Sequence, residues 1–162
     1  MLREGCPFSG CLYFGLMLTP AGPRVIEYNC RFGDPETQVV LPLLDGDLLE
    51  IMLACTNGNL SADMIRFRDG AAACVCMVSG GYPEKYQTGY PISGLEEAAK
   101  IPGVTVYHAG TKLDGDEILT AGGRVLGVTG VADTLPAALE KAYEAVGRIA
   151  FTDAYWRTDI GV

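Results

Sequence analysis

Short apolar runs separated by turn residues dominate the first part of the chain. Residues 10–18 are apolar and rich in aromatic side chains, and they lie between Pro7 and the dipeptide Thr19-Pro20. A run of this length with such boundaries predicts a buried strand. Turn-forming residues over 19–23 then lead into a second strand pattern over 24–29. The sequence therefore predicts a hairpin.

A helix pattern follows the hairpin. Asp47 is typical of a helix N-cap, and Glu50, three residues later, completes a capping box. Gly58 is the expected C-terminal stop. Leu48, Ile51, Met52 and Cys55 recur at helical spacing between these ends. The polar stretch 59–70 predicts a linker between two lobes.

The second half repeats the strand pattern and ends in a helix. Strands are predicted over 72–79, 104–108 and 124–131, with a hairpin turn at Asp114-Gly115-Asp116. A final helix is predicted from Thr134, with Pro136 in its first turn. Its expected apolar stripe consists of Leu135, Ala138, Leu139, Ala142, Val146 and Ile149. Mostly antiparallel strands with two sizeable helices are typical of the α+β class.

Composition narrows the classes of function. The 162 residues include 12 basic and 20 acidic side chains, for a formal net charge of −8, and no run is rich in Lys or Arg. We therefore expect no nucleic-acid partner. No apolar run approaches the length of a membrane span, so we expect no membrane partner either.

The six cysteines favour reduced thiols. No signal peptide opens the chain, and no Cys-x-x-Cys pair occurs beside its single His. Cys74 and Cys76 are expected on one face of their strand. We therefore expect a cytoplasmic protein without a zinc site.

One polar stripe carries candidate chemistry. In a strand, residues i and i+2 share a face, so Glu27 and Asn29 project together, and Arg31 follows if the strand continues. Val25 is expected to precede them on that face, whereas Ile26 and Tyr28 are expected to face the other way, toward a core.

This stripe has two interpretations. The oxygens of Glu27 and Asn29 suit Mg²⁺, which binds one or two protein oxygens together with substrate phosphates. Arg31 suits a phosphate or carboxylate. Alternatively, the stripe is only the solvated face of a half-exposed strand.

The residues that follow resemble a known family. The stretch Asn29-Cys30-Arg31-Phe32-Gly33-Asp34-Pro35-Glu36-Thr37-Gln38 resembles the signature region of the glycinamide ribonucleotide synthetases. Five further stretches resemble the family in the same order along the chain: Leu12-Tyr13-Phe14-Gly15-Leu16-Met17-Leu18, Gly80-Gly81-Tyr82-Pro83, His108-Ala109-Gly110-Thr111, Gly122-Gly123-Arg124-Val125-Leu126 and Arg157-Thr158-Asp159-Ile160-Gly161.

The resemblance implies a fold and an activity. Residues 1–66 would be the last hairpin and helix of an ATP-grasp domain, and residues 67–162 a small, mostly antiparallel C-terminal domain. The family ligates 5-phosphoribosylamine to glycine through glycyl phosphate in de novo purine synthesis. ATP is the co-substrate, and Mg²⁺ or Mn²⁺ is the metal.

The resemblance also assigns roles to residues. Glu27 and Asn29 match the family's metal-binding acid and amide, and Arg31 matches its catalytic arginine. The residues expected to bind substrate are Asp34, Glu36, Thr37 and Arg124.

Three of these four substrate assignments have a structural alternative. Asp34-Pro35 is also turn chemistry, Glu36 also suits a first helical turn, and Arg124 also suits an ion pair. The single histidine, His108, is expected to be a hydrogen-bonded structural group at the end of a strand.

The chain also departs from the family pattern. The N-terminal domain and most of the ATP-grasp region do not appear in it, so we expect this chain to be inactive alone and to need that missing portion. A biotin carboxylase-like ligase is disfavoured by the stretch 32–36. A non-catalytic or split-subunit interaction module remains the alternative from another class.

Overall fold

The computed structural model describes residues 1–161, which form two compact units. The first unit comprises Met1–Thr37 and Leu44–Arg68. The second comprises Gln38–Leu43 and the chain from Asp69 onward. The short segment 38–43 therefore leaves the first unit and packs with the second.

An antiparallel hairpin forms the centre of the first unit. Strand β1 (Tyr13–Thr19) pairs with strand β2 (Gly22–Asn29), which confirms the predicted hairpin. The expected burial is wrong, since no residue of β1 is buried and Ile26 and Tyr28 of β2 are exposed. Phe14 lies opposite Tyr28 with the ring centroids 5.1 Å apart, in an edge-to-face contact that aromatic pairs favour.

A β-bulge changes the faces of this hairpin. The register shifts between Gly15 and Leu16, so that Gly15 lies opposite Glu27 but Leu16 lies opposite Val25. Val25 therefore shares the face of Leu16, and the expectation that it lies on the Glu27 face is wrong. The extra residue that the bulge adds to β2 reverses the alternation at that point.

The helix α2 (Leu48–Asn57) begins and ends as predicted. The Asp47 carboxylate accepts hydrogen bonds from the backbone nitrogens of Leu49 and Glu50, at 2.8 and 3.1 Å. Gly58 ends the helix in the left-handed conformation, with φ at 72°. The predicted linker contains a short 3-10 helix, Ala62–Met64, and an isolated bridge between Leu44 and Phe67.

Two short helical segments join the hairpin to α2. The helix α1 (Thr37–Val40) continues directly into a 3-10 helix, Leu41–Leu43. Neither was predicted, because four residues are too few to show a helical period. Another 3-10 helix, Leu2–Glu4, lies at the start of the chain.

A four-stranded antiparallel sheet organises the second unit. Its order is β4 (Val104–His108), β7 (Arg124–Ala132), β3 (Ala71–Ser79) and β8 (Ala154–Tyr155). The predicted strands β3, β4 and β7 are thereby confirmed.

Helix α4 (Leu135–Val146) covers one face of this sheet. Ala138 and Ala142 are fully buried against the strands, together with core residues such as Val75, Met77 and Val128. Gly130 lets the helix approach closely, since a Cβ there would lie 2.9 Å from the backbone nitrogen of Ala142.

The predicted apolar stripe of α4 is correct except at its ends. Leu135 is 44% exposed, because it stands in the first helical turn, directly after the N-cap Thr134. Ile149 is buried as expected, but it follows the end of the helix at Val146. The stripe therefore starts at Ala138.

A second hairpin and a short helix complete the unit. Strands β5 (Thr111–Asp114) and β6 (Glu117–Thr120) pair around Gly115, whose φ is 61°, as the turn signal predicts. The helix α3 (Leu95–Ala99) was not predicted, because its five residues span little more than one turn.

Cys74 and Cys76 lie on one face of β3, as expected. Cys74 and Cys76 are half-buried and alternate with the buried Ala73, Val75 and Met77, so they share the face opposite the core. In the part of the chain that the structure describes, the six cysteines are free thiols. Every helix within residues 1–161 is too short or too polar to span a bilayer.

Candidate functional site

The polar face of the first hairpin brings the predicted metal-binding pair together. Nδ2 of Asn29 donates a hydrogen bond of 2.9 Å to Oε1 of Glu27. Across the hairpin, Tyr13 lies opposite Asn29 and Gly15 lies opposite Glu27. The pair therefore faces a tyrosine and a glycine on β1, at the end of the hairpin where the signature stretch begins.

Tyr13 lies on this face, and its phenol responds to the charge of the turn that follows β2. The Glu36 carboxylate, as an acceptor toward the Tyr13 hydroxyl, is the largest cause of a raised pKa for Tyr13. Partial removal of the hydroxyl from water and the negative charges of Glu36 and Glu27 raise that pKa further. Tyr13 was missed in the sequence, where its one available signal was its position opposite Asn29 in the predicted hairpin.

The turn itself folds Glu36 back on its own backbone. Gly33 is buried, and a Cβ at that position would lie 3.0 Å from Cδ of Glu36. The Thr37 hydroxyl donates to the Gly33 carbonyl oxygen, which also accepts from the Thr37 backbone nitrogen at 3.2 Å. Glu36 and Thr37 are thus held in the same turn.

Arg31 and Asp34 stand at the exposed rim of this turn. Nη1 of Arg31 donates to the Phe32 carbonyl oxygen at 2.8 Å, and the side chain is exposed. Asp34 is also exposed and precedes Pro35 in the turn. The guanidinium retains further N–H donors with which it can bind an anion.

The remaining candidates lie in the second unit. Arg124 is the half-buried first residue of β7, opposite Val78 of β3. His108 ends β4, and its Nδ1 lies 3.1 Å from the Thr111 hydroxyl oxygen. This hydrogen bond agrees with the structural interpretation of the histidine.

The side-chain oxygens of Glu27 and Asn29 form a candidate site for a divalent cation. Glu27 offers carboxylate oxygens and Asn29 an amide oxygen, side by side on an accessible face. Within residues 1–161, no three His, Cys, Asp or Glu side chains cluster so as to hold a metal by themselves. Two adjacent oxygen donors fit Mg²⁺, which completes its shell with water and phosphate oxygens.

Comparison with known proteins identifies the family. Residues 72–162 match the family model described as phosphoribosylglycinamide synthetase, C domain, and residues 1–37 match that of the ATP-grasp (A) domain of the same enzyme. The chain belongs to the phosphoribosylglycinamide synthetase family. This confirms the predicted family, and the matched A domain contains the hairpin with Glu27 and Asn29.

Relatives of this family cover nearly the whole chain. The chain is 50% identical over 162 residues to the trifunctional purine biosynthetic protein adenosine-3 of Gallus gallus, with 99% of this chain and 16% of that protein aligned. It is 48% identical over 161 residues to phosphoribosylamine–glycine ligase of Chlorobaculum tepidum, with 99% of this chain and 38% of that protein aligned. The chain therefore spans well under half of each relative.

Solved structures agree with this assignment. The chain resembles phosphoribosylamine–glycine ligase from Thermotoga maritima with a TM-score of 0.77 and 33% identity, over 91% of this chain and 36% of that one. The α+β fold, with the end of an ATP-grasp domain followed by the family's C-terminal domain, is confirmed.

More distant structures share the fold alone. N5-carboxyaminoimidazole ribonucleotide synthetase from Thermotoga maritima is 20% identical with a TM-score of 0.60, over 88% of this chain and 37% of that one. The biotin carboxylase domain of a Hydrogenobacter thermophilus 2-oxoglutarate carboxylase is 17% identical with a TM-score of 0.58, over 87% and 31%. At these identities the phosphoribosylglycinamide synthetase assignment is unaffected, and the biotin carboxylase-like alternative gains no support.

Proposed function

We propose that this chain is the C-terminal portion of a phosphoribosylamine–glycine ligase. The reaction joins glycine to 5-phosphoribosylamine, with cleavage of ATP to ADP and phosphate, and it belongs to de novo purine synthesis. The observation that carries the proposal is the Glu27–Asn29 hydrogen bond, within a hairpin that matches the family's ATP-grasp domain. The relatives named phosphoribosylamine–glycine ligase support the specific reaction.

The polar residues of the hairpin have separate proposed roles in phosphoryl transfer. Glu27 and Asn29 would hold Mg²⁺ or Mn²⁺, which would supply charge neutralisation for the ATP phosphates. Arg31 steadies the transferring phosphate with its free N–H donors, since it is exposed beside the pair. Positioning and charge neutralisation are the main contributions of a protein to this chemistry.

The turn after β2 forms the substrate side of the proposed site. Glu36 offers a carboxylate folded back on Gly33, and Asp34 offers another at the exposed rim. The Thr37 proton is used on the Gly33 carbonyl, so the Thr37 oxygen serves substrate only as an acceptor.

We propose Arg124, in the second unit, as a ligand of the ribose 5-phosphate. A half-buried guanidinium at the start of a strand is well suited to a phosphate. We also retain residues 1–66 and 67–162 as the limits of the two domains, and a cytoplasmic location.

The hairpin that matches the ATP-grasp domain exposes apolar side chains. Leu18 is 82% exposed and Ile26 is 63% exposed, with Phe14, Leu16 and Tyr28 also exposed on the same hairpin. We define Phe14, Leu16, Leu18, Ile26 and Tyr28 as the apolar hairpin surface. We propose that it is covered by the ATP-grasp portion that precedes the matched region in the relatives, because 38% coverage leaves that portion outside this chain.

A reconstitution experiment tests the proposal. The chain is assayed for glycine-dependent ADP release alone, joined to the preceding portion of a bacterial relative, and mixed with that portion as a separate polypeptide. We expect no turnover alone and clear turnover when joined. Absence of ligation by a folded joined enzyme would contradict the ligase proposal.

The mixed sample addresses the alternative of a split-subunit or non-catalytic module. Turnover after mixing and co-purification of the two polypeptides would favour a split enzyme. Co-purification of the two mixed polypeptides, with no turnover by the mixture or by the joined enzyme, would favour a non-catalytic interaction module. The exposed apolar hairpin surface supports this alternative, because such a surface can bind a partner polypeptide.

A further inference from the structure

A β-bulge in the second unit decides which way Arg124 faces. Across β3 and β7, Met77 pairs with Leu126. The next residue of β3, Val78, pairs with Arg124, so that Val125 is an extra residue in β7. Residues paired across an antiparallel sheet share a face, and successive residues of a strand point to opposite faces. Arg124 therefore lies on the face of Val78, away from the face of Met77.

This bulge keeps the Arg124 side chain out of the core. Met77, Val125 and Leu126 are buried in the cluster that β3 and β7 share with α4. In a regular strand Arg124 would share the face of Leu126, two residues further on, and its charge would enter that cluster. Bulges beside functional sites commonly re-aim a side chain in this way. The result is a half-buried guanidinium on the face that α4 does not cover.

The two residues before Arg124 are anchored by Ser79. Gly122 and Gly123 have no side chains with which to anchor themselves, and glycine has the most backbone freedom to lose. Ser79, at the end of β3, donates its backbone N–H to the Gly123 carbonyl oxygen at 2.8 Å. Its hydroxyl donates to the Gly122 carbonyl oxygen at 2.9 Å. Ser79 is only 3% exposed, so bulk water does not substitute for this hydroxyl.

Close packing explains why this anchor comes from a neighbouring strand. A Cβ on Gly123 would stand 2.6 Å from Cε2 of Tyr82, and a Cβ on Gly110 would stand 2.6 Å from Cα of Gly122. The backbone nitrogen of Gly110 also donates to the Arg124 carbonyl oxygen at 2.8 Å. Larger residues do not fit at these glycines, and the backbone that leads into the bulge is therefore held by hydrogen bonds from outside.

We propose that Ser79 is a positioning residue for Arg124. Its hydroxyl fixes Gly122 and the bulge that follows, so that the guanidinium faces away from the core and binds the phosphate group of 5-phosphoribosylamine. The inference rests on the proposed ligase function for the identity of that ligand. Arginine binds phosphate through a rigid fork of two parallel hydrogen bonds, so a small displacement of the guanidinium weakens the binding.

Kinetics of the complete ligase test the proposal. Ser79→Ala removes the hydroxyl and keeps the backbone donor. We expect KM for 5-phosphoribosylamine to rise about tenfold, since the phosphate is held less well. The kcat and the KM for glycine should stay within about twofold, because phosphate binding is lost equally in the ground and transition states. Ser79→Cys fills a similar space with a weak donor and should give the same pattern.

Two comparisons make the test specific. Ser93→Ala removes another serine hydroxyl of the second unit that donates to a backbone carbonyl, that of Ala150, and it should leave every KM unchanged. Arg124→Ala should mask the Ser79→Ala effect, since residues that act through one contact are not additive. The proposal is overturned by an unchanged KM for 5-phosphoribosylamine, by an equal rise in KM for glycine, by full additivity with Arg124→Ala, or by loss of folding in both Ser79 variants.

The positioning can also be checked without any activity. With arginine labelled by ¹⁵N, Ser79→Ala in this chain should shift the Nε–Hε resonance of Arg124. The resonance of Arg148, which pairs with Glu144 on α4, should stay in place. An unmoved Arg124 resonance overturns the proposal whether or not the ligase turns over. If the resonance moves but the complete ligase is inactive, the positioning stands, whereas the phosphate role falls together with the proposed function.

Discussion

Gly15 lies directly opposite Glu27 across the first hairpin, and its missing side chain leaves the space that the Glu27 side chain occupies. A Cβ on Gly15 would stand 2.9 Å from Cγ of Glu27. Carbon atoms pack comfortably at roughly 3.5–4.0 Å, so one of the two side chains would have to move.

We therefore expect Gly15→Ala to displace Glu27 and to lower the kcat of the complete ligase by about tenfold or more, since small misplacements in an active site are costly. Half-maximal activity should need more Mg²⁺. Gly147→Ala is the matched control, because a Cβ at Gly147 meets only ordinary contacts of 3.4–3.5 Å. Equal activity of the two variants would show that Glu27 tolerates the change.

Exchange of the Asn29 amide for a carboxylate tests the pair itself. Asn29→Asp loses the 2.9 Å hydrogen bond and places two carboxylates in contact. We expect lower thermal stability of the chain at low ionic strength, recovered in part by millimolar Mg²⁺, because a cation relieves the repulsion of like charges.

Glu27→Gln makes the opposite change to Asn29→Asp, because it removes a negative charge from the pair. Glu50→Gln removes the same charge at an exposed position on α2 and serves as its control. In the complete ligase, Glu27→Gln should raise the Mg²⁺ requirement, and Glu50→Gln should not. If neither Glu27→Gln nor Asn29→Asp alters the response to Mg²⁺, the pair does not bind the metal.

The sequence was sufficient for the hairpin, for α2 with its caps and for the pairing of Glu27 with Asn29, because each follows from local periodicity or capping chemistry. The Val25 error came from a bulge, which leaves no mark in an alternating pattern. Gly15 and Tyr13 were missed because their importance depends on what lies across the hairpin. The effect of Glu36 on the pKa of Tyr13 acts between residues 23 positions apart, through a turn whose shape no short-range rule specifies.

In the second unit, the sheet strands were predictable and the close packing was not. Leu135 fits a helical stripe by spacing, yet it is exposed in the first turn of α4. Gly130 reads as an ordinary strand glycine, although its lack of a side chain sets the distance between β7 and α4. Both outcomes depend on the position of a neighbouring element rather than on the local sequence.

Gly130→Ala should destabilise the second unit. The added Cβ would lie 2.9 Å from the Ala142 nitrogen and 3.1 Å from Cβ of Lys141, and backbone cannot yield as a flexible side chain does. We expect a loss of about 1–3 kcal/mol in the free energy of unfolding, as for other overpacked cores. Urea denaturation followed by circular dichroism measures it, with Gly147→Ala as the control. A loss no larger than that of the control would contradict the close packing of α4 on β7.

The stability of the second unit should fall at alkaline pH through Tyr107. Burial raises the pKa of Tyr107 above its ordinary value of 10.0, and the nearby Cys74 thiolate raises it further, against a hydrogen bond with Thr105 that lowers it. A raised pKa means that the folded state retains the phenol proton longer than the unfolded state. This contribution is therefore complete below pH 10 and is lost as the pH rises through the folded pKa.

Tyr107→Phe removes the titrating group, so its urea midpoint should fall less steeply above pH 10 than that of the wild type. Tyr155→Phe, at an exposed strand position, is the control and should follow the wild-type curve. If the urea midpoints of all three proteins fall equally as the pH rises, another group causes the loss of stability at alkaline pH.

The apolar hairpin surface should make the isolated chain associate. Leu16 and Met17 are adjacent and similarly exposed, at 50% and 54%, but they lie on opposite faces of β1. Leu16→Lys places a charge on the apolar hairpin surface, whereas Met17→Lys places the same charge on the polar face. We expect Leu16→Lys alone to reduce binding of an apolar dye and concentration-dependent light scattering, because the exposed patch drives association.

Leu16→Lys should also weaken co-purification with the preceding ATP-grasp portion by about tenfold or more, since a buried unpaired charge is costly. A wild-type chain that stays monomeric and binds no dye, or two variants that behave alike, would sink the proposed covering of this surface.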